Sequence, residues 1–142
     1  MLATVTLVGL VVLVALVVMY LKLRRQDLLV AISDKRRASS KLVTRADYVE
    51  GAEQMPVVLS LSTDSLYYEN PDLDASFDLD RLDEVEYADE LATGRDVHGH
   101  RVLRLRSHGA TFEFLLEKAD AGKWEAALPP RSYGNQPTAR AM

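Results

Sequence analysis

The soluble part of the chain takes its fold from the stretch MPVVLSLSTDSLYYE, residues 55–69. From Val57 to Leu61 a large aliphatic residue recurs at every second position, which is the period of a strand with one buried face. Residues 62–65 are polar turn formers, and the apolar and aromatic residues 66–68 follow, before Glu69. The stretch therefore predicts a β-hairpin.

The same period of two continues along the chain. Residues 77–80 and 84–88 each alternate apolar and acidic side chains, which predicts one further strand from each. Residues 102–106 and 111–115 predict a second hairpin about the turn Ser107-His108-Gly109. The soluble part is therefore expected to contain six or seven short antiparallel strands.

One helix is predicted near the C-terminus. Asp120 is a candidate N-cap, Trp124 and Leu128 lie four residues apart on one face, and Pro129-Pro130 ends the pattern. The fold class is α+β, with the helix following the strands.

This order of elements resembles the pleckstrin-homology-like superfamily, especially its GRAM and bacterial PH-like variants. The segments that carry the resemblance are Val57–Tyr68, Phe77–Val85, Phe112–Phe114 and Lys123–Leu128. The resemblance covers residues 45–128. It implies a bent, partly closed β-barrel that is capped by the C-terminal helix, with Trp124 in the core beside Phe112 and Phe114.

The resemblance also contains a departure. Relatives that bind phosphoinositides carry a basic motif in their first two strands, whereas Glu50, Glu53 and Gln54 precede the first strand predicted here. We therefore do not expect headgroup recognition in the usual pocket of that family. What remains typical of such a fold is protein recognition through strand edges, loops or the helix groove.

The N-terminal residues 2–21 form an uncharged apolar run. Twenty helical residues rise about 30 Å, the thickness of the hydrocarbon layer of a bilayer. A cleavable signal peptide would carry basic residues before the run, but here Lys22, Arg24 and Arg25 follow it. The pattern predicts a retained single-pass anchor, with the N-terminus outside and the C-terminal domain cytoplasmic, most simply in a bacterial inner (plasma) membrane.

Charge divides the rest of the chain. Residues 22–45 carry eight basic and two acidic side chains, whereas residues 46–142 carry nine basic and nineteen acidic ones. A basic segment is attracted to anionic lipid and an acidic domain is repelled, so we expect the linker to lie on the membrane and the domain to stand away from it. The predicted membrane-surface contacts are Lys22, Arg24, Arg25, Lys35, Arg36 and Arg37. The alternative is that these cations only fix the topology.

The sequence thus divides into an anchor (1–22), a basic juxtamembrane linker or helix (23–44), the PH-like domain (45–128) and a flexible tail (129–142).

Two charged clusters are candidates for partner binding. The first is the acidic segment that contains Asp72, Asp74, Asp78 and Asp80. Calcium is the alternative ligand, but an EF-hand loop that begins at Asp72 needs glycine where Phe77 stands. The second cluster is Arg104 and Arg106, for which cross-strand pairing with Glu113 and Glu117 is the alternative.

Other functional signals are weak. His98, His100 and His108 lack the spacing of a zinc site, and the chain has no cysteine. Nucleophile elbows, P-loops and dinucleotide fingerprints do not occur in the sequence, and an acidic domain is repelled by nucleic acid. We therefore expect no catalysis, no cofactor and no metal.

The sequence favours a structural or accessory subunit of a larger membrane complex, for example a photosynthetic or respiratory one, that binds membrane protein subunits. The alternative is a membrane-anchored sensor or tether that binds anionic lipid through the basic juxtamembrane segment.

Overall fold

The computed structural model describes residues 1–132 and has an α+β architecture. A long helix is followed by a curled antiparallel sheet and a short second helix. The elements are α1 (Leu2–Arg37), β1 (Leu42–Glu50), β2 (Glu53–Leu61), β3 (Ser65–Asn70), β4 (Leu73–Asp78), a single 3-10 turn (Leu79–Arg81), β5 (Glu84–Ala88), β6 (His100–Ser107), β7 (Ala110–Glu117), α2 (Lys118–Ala127) and β8 (Arg131–Ser132).

Helix α1 is unbroken for 36 residues, which corresponds to about 54 Å. Its first twenty residues are uncharged, predominantly apolar and exposed. It is the one helix of residues 1–132 that is long and apolar enough to cross a membrane. The hydroxyls of Thr4 and Thr6 donate to carbonyls of their own first turn, at 2.8 to 3.0 Å. An exposed apolar helix of this kind is typical of a membrane anchor or a signal segment.

The eight strands form one antiparallel sheet in the order β4-β3-β2-β1-β7-β6-β5-β8. Within the described residues β4 pairs only with β3, and β8 pairs only with β5, so the sheet curls into a half-barrel and does not close. Both predicted hairpins are confirmed, as β2–β3 and β6–β7.

The core fills the concave side of this half-barrel. Its members are inward residues of the strands together with Trp124 and Leu128 around α2, and Trp124 is fully buried in the same cluster as Phe114. The Trp124 indole N–H donates to Thr44 Oγ1 at 2.9 Å, which connects the helix to β1. Five aromatic rings line the cluster with centroids 4.8 to 5.4 Å apart; they belong to Tyr48, Tyr68, Phe77, Phe112 and Phe114.

The convex side of the sheet is covered by two different segments. Side chains alternate along a strand, so Val58 and Ser60 face away from the core residues Val57 and Leu59, yet both are fully buried. They lie under α1, which packs against β1, β2 and β3. The loop of residues 89–99 covers the other half, where Leu91 and Val97 pack on outward residues of β6 and β7.

Several local expectations were wrong. Strand β1 was not predicted, and the strand expected over residues 77–80 ends at Asp78, whose carboxylate caps the following 3-10 turn through Asp80 N at 3.0 Å. The N-cap of α2 is Glu117 rather than Asp120, which lies in the first turn. The sheet has eight strands rather than the expected six or seven, because β1 and the short strand Arg131–Ser132, which pairs with β5, add to the six predicted strands. The rest of the predicted tail, residues 133–142, lies outside the described residues.

Candidate functional site

The contact between α1 and the sheet is the place where the candidate residues converge. Arg25, Leu29, Ser33 and Arg36 recur every three or four residues, and therefore share one face of the helix. Leu29 and Ser33 are buried. The second half of α1 is thus a docked helix and not a free linker.

Arg36 anchors the end of this docked helix. Its guanidinium forms an ion pair with the Glu69 carboxylate of β3 and lies over the Tyr67 ring, 4.0 Å from the centroid. The two charged side chains are only 23% and 12% exposed. We call Arg36, Glu69 and Tyr67 the clamp. Because Arg36 is used in it, this cation is directed towards the domain rather than towards a membrane surface.

Arg25 forms a second contact nearer the apolar segment. Its guanidinium lies 3.3 Å from the Asp72 carboxylate in the β3–β4 turn, and both side chains are well exposed. Pro71 and Asp72 of this turn line one cleft together with Val18 and Leu21. The turn therefore reaches the level where the apolar run ends, which differs from the expectation that the domain stands away from the membrane.

The remaining predicted membrane contacts lie at two heights along α1. Lys22 and Arg24 follow the apolar run directly, whereas Lys35 and Arg37 lie about 20 Å further along the helix at 1.5 Å per residue. Arg37 is 3.7 Å from Asp34 in the same helix. The structure thus does not bring the six cations together on one surface.

A groove runs between α1 and the part of the sheet formed by β1, β2, β6 and β7. Lys22, Arg25, Gln26 and Leu29 form its helical wall, and its volume is about 420 Å³. The sheet contributes Arg45, Ala46, Asp47, Pro56, Val57, His100, Leu115 and Glu117. We call this the interfacial groove.

The acidic candidates Asp72, Asp74, Asp78 and Asp80 lie along the β4 edge of the sheet. Asp74 and Asp78 are exposed and alternate with the inward residues of β4, Leu73, Ala75 and Phe77. No group of three or more His, Asp or Glu side chains within residues 1–132 has the geometry to hold a metal ion. Charged residues on an edge strand also hinder unwanted pairing with other sheets.

Arg104 and Arg106 share the convex face of β6, where each contacts a carboxylate of a neighbouring strand. Arg104 donates to Glu86 at 2.9 Å, to Glu113 at 3.2 Å and to the carbonyl of Glu90 at 3.0 Å. Partial burial lowers the pKa of Arg104, but the hydrogen bonds and charges of Glu86 and Glu113 outweigh this effect and raise it overall. The network holds the 89–99 loop on the sheet.

The predicted pairing was right for Glu113 and wrong for Glu117. Arg106 lies 3.5 Å from Glu84, its cross-strand neighbour on β5. Glu117 is opposite His100 in the register of β6 and β7 and lines the interfacial groove. The two carboxylates are four residues apart on β7, so Glu113 pairs with Arg104 and Glu117 lies opposite His100.

The three histidines also have separate environments. His98 lies 3.3 Å from Asp96, and His100 Nδ1 lies 3.1 Å from the carbonyl of His98. His108 adopts a left-handed conformation, with φ of 50°, in the tight β6–β7 turn. At the β1–β2 turn, Glu50 is directly opposite Glu53, so this turn carries two acidic side chains.

Sequence reasoning missed the clamp and the interfacial groove. Glu69 is 33 residues from Arg36 along the chain, and no local pattern connects them. The only signal was the spacing of Arg25, Leu29, Ser33 and Arg36 on one helix face. Comparisons of the chain with protein-family models, with curated proteins and with solved structures found no match.

Proposed function

We propose that the chain is a non-catalytic single-pass membrane protein that serves as a structural or accessory subunit of a larger membrane complex. One observation carries this proposal. The apolar half of α1 is fully exposed, while its second half is held on the domain by the clamp and by buried Leu29. A helix of this kind fixes the position of the domain relative to the bilayer, which a structural subunit needs.

The domain supplies the surface for the partner in this proposal. Its acidic β4 edge and net negative charge suit a basic surface on another subunit. The fold supports assignment to the pleckstrin-homology-like superfamily, since α2 follows the seventh strand and inserts Trp124 into the concave side of the half-barrel. The basic flank of the span favours a cytoplasmic domain at a bacterial plasma membrane.

The experiment that tests the proposal is extraction of native membranes in mild detergent, followed by native-gel separation and mass spectrometry. Stoichiometric co-migration with other membrane proteins is expected. The quadruple variant Asp72→Asn, Asp74→Asn, Asp78→Asn and Asp80→Asn should weaken that association, and high salt should weaken it in the same direction. A 15.8 kDa chain that migrates alone in every detergent would overturn the proposal.

The alternative function is a membrane-anchored lipid tether that uses the basic juxtamembrane segment. The geometry of α1 limits this alternative, because Lys35 and Arg37 lie about two Debye lengths beyond the end of the apolar run. Only Lys22, Arg24 and Arg25 remain at the height of lipid phosphates. Neutralising these three should abolish recruitment to anionic vesicles if the chain is such a tether.

A further inference from the structure

The interfacial groove lies at a defined depth if α1 spans a membrane, and the inference below rests on that part of the proposed function. The headgroup layer is about 5 to 8 Å thick on each side of the hydrocarbon. At 1.5 Å per residue, Lys22 to Gln26 cross about 6 Å and Leu29 lies about 12 Å beyond the apolar run. The part of the helical wall formed by Lys22, Arg25 and Gln26 therefore stands within the headgroups of one leaflet, where lipid can reach it.

The groove carries both signs of charge. Lys22, Arg25 and Arg45 contribute three cations, and Asp47 and Glu117 contribute two carboxylates. Within residues 1–132, Lys22, Arg45, Asp47 and Glu117 have no ion-pair partner. Arg25 is the exception, because it is shared with Asp72. Four unpartnered charges of opposite sign thus surround one cavity.

The charges are also ordered along the helix. Lys22 and Arg25 lie at the end nearest the apolar run, whereas Glu117 and Arg45 also line the adjoining cleft formed with Val30, Ser33 and Arg37. Two cations of the helical wall therefore lie at the end of the groove that faces the bilayer, and the far end carries the Glu117 carboxylate together with Arg45. Pro56 and Leu115 provide an apolar surface between them.

We propose that the interfacial groove binds the headgroup of a phospholipid that carries a phosphate and a primary ammonium, as phosphatidylethanolamine does. The phosphate accepts hydrogen bonds from Lys22 and Arg25, and the ammonium donates to Asp47 and Glu117. A purely anionic headgroup leaves both carboxylates unpaired, and a choline group has no N–H to donate. The volume of about 420 Å³ falls within the range of small-ligand pockets, about 300 to 1,000 Å³.

The test uses the full chain in nanodiscs that contain equal amounts of phosphatidylethanolamine, phosphatidylcholine and phosphatidylglycerol with identical acyl chains. Native mass spectrometry after release into detergent counts the lipids that remain bound. Phosphatidylethanolamine should be retained about threefold over each of the others, the ratio expected for one exposed ion pair. Asp47→Asn should reduce this ratio to about one, whereas the matched control Asp96→Asn, an exposed carboxylate of the 89–99 loop, should leave it unchanged.

A second pair of variants tests the phosphate contact. Lys22→Gln should lower retention of all three lipids, whereas Arg95→Gln, an exposed cation of the 89–99 loop, should not. Preferred retention of phosphatidylglycerol, or equal retention of all three lipids by the unmodified chain, would overturn the groove assignment. Carbonate extraction of membranes that contain the full chain separates failure of the groove assignment from failure of the proposed function. Release of the chain by carbonate would show that α1 does not span the membrane.

Discussion

Replacement of Arg36 by glutamine should destabilise the folded domain more than any other single change in the basic segment of α1. The substitution removes the ion pair with Glu69 and the contact with the Tyr67 ring. It also leaves a carboxylate that is only 12% exposed without its counter-charge. Helical propensity is nearly unchanged, since arginine and glutamine rank together.

The magnitude follows from the burial of the clamp. Exposed ion pairs contribute about 0 to 1 kcal/mol, and loss of one partner of a fully buried pair costs about 3 to 5 kcal/mol. The clamp lies between these limits, so we assign about 2 kcal/mol to the ion pair and about 0.5 kcal/mol to the ring contact. For a domain of this size, a loss of 1 kcal/mol in the free energy of unfolding lowers Tm by about 4 to 8 °C. Arg36→Gln should therefore lower Tm by at least about 10 °C.

The assay is thermal unfolding of the full chain in detergent, followed by the fluorescence of Trp124, the single tryptophan, which is buried in the core. Arg37→Gln is the matched control, because Arg37 is 70% exposed and its one ion pair among residues 1–132 is with Asp34 of its own helix. This variant should shift Tm by less than about 3 °C. A double-mutant cycle with Glu69→Gln should give a coupling free energy of about 1 to 2 kcal/mol. Equal Tm values for Arg36→Gln and Arg37→Gln would refute the assignment of the clamp.

Three further predictions concern the sheet. Arg104→Gln should lower the free energy of unfolding by about 2 to 3 kcal/mol, because Glu113 loses its counter-charge at 13% exposure; Arg106→Gln, on a residue that is 55% exposed, should cost less than about 1 kcal/mol in the same urea titration. Ser60→Ala should raise Tm by a few degrees, since Ser60 Oγ is buried under α1 without a hydrogen-bond partner among the described residues and its removal gains about 1 kcal/mol; a lower Tm would indicate a bound water there. Burial, with a smaller contribution from Glu125, raises the pKa of Tyr87 above its ordinary value of 10.0, and its hydroxyl donates to the carbonyl of Leu128 at 2.8 Å. The stability from this group is complete below pH 10 and is lost as pH rises further, because unfolded chains release the phenolic proton first. Tyr87→Phe should flatten the alkaline loss of the free energy of unfolding by roughly 1.4 kcal/mol per pH unit, measured by urea titration at each pH, and an unchanged alkaline slope would contradict this prediction.

The class of fold was predictable from the sequence because the inward positions of β2, β3, β6 and β7 carry large apolar side chains at every second residue, which gives a period of two. Strand β1 was not predicted, and the reason is physical. Its inward residues Thr44 and Ala46 are small, since Trp124 fills the space above them and bonds to Thr44. Its outward residues Arg45 and Asp47 are charged because they line a groove and not a core.

The candidate site was less predictable than the fold. The basic residues of α1 were recognised, but a charge pattern carries no information on which partner each cation selects. Arg36 pairs with a residue 33 positions away, and Arg25 with one 47 positions away. Both partners depend on how the helix lies across β3, which only the folded sheet defines.

Because α1 is one unbroken helix, the direction in which the half-barrel projects from the helix axis is fixed relative to the apolar run. Each residue of an α-helix turns the chain by about 100° and advances it by about 1.5 Å. One residue inserted between the apolar run and Arg25 would therefore rotate the whole half-barrel by about 100° around the helix axis, whereas seven residues would lift it by about 10 Å and nearly restore its direction. A neighbour that contacts the apolar run on one side thus meets one particular side of the sheet, and the length of the helix selects which side that is.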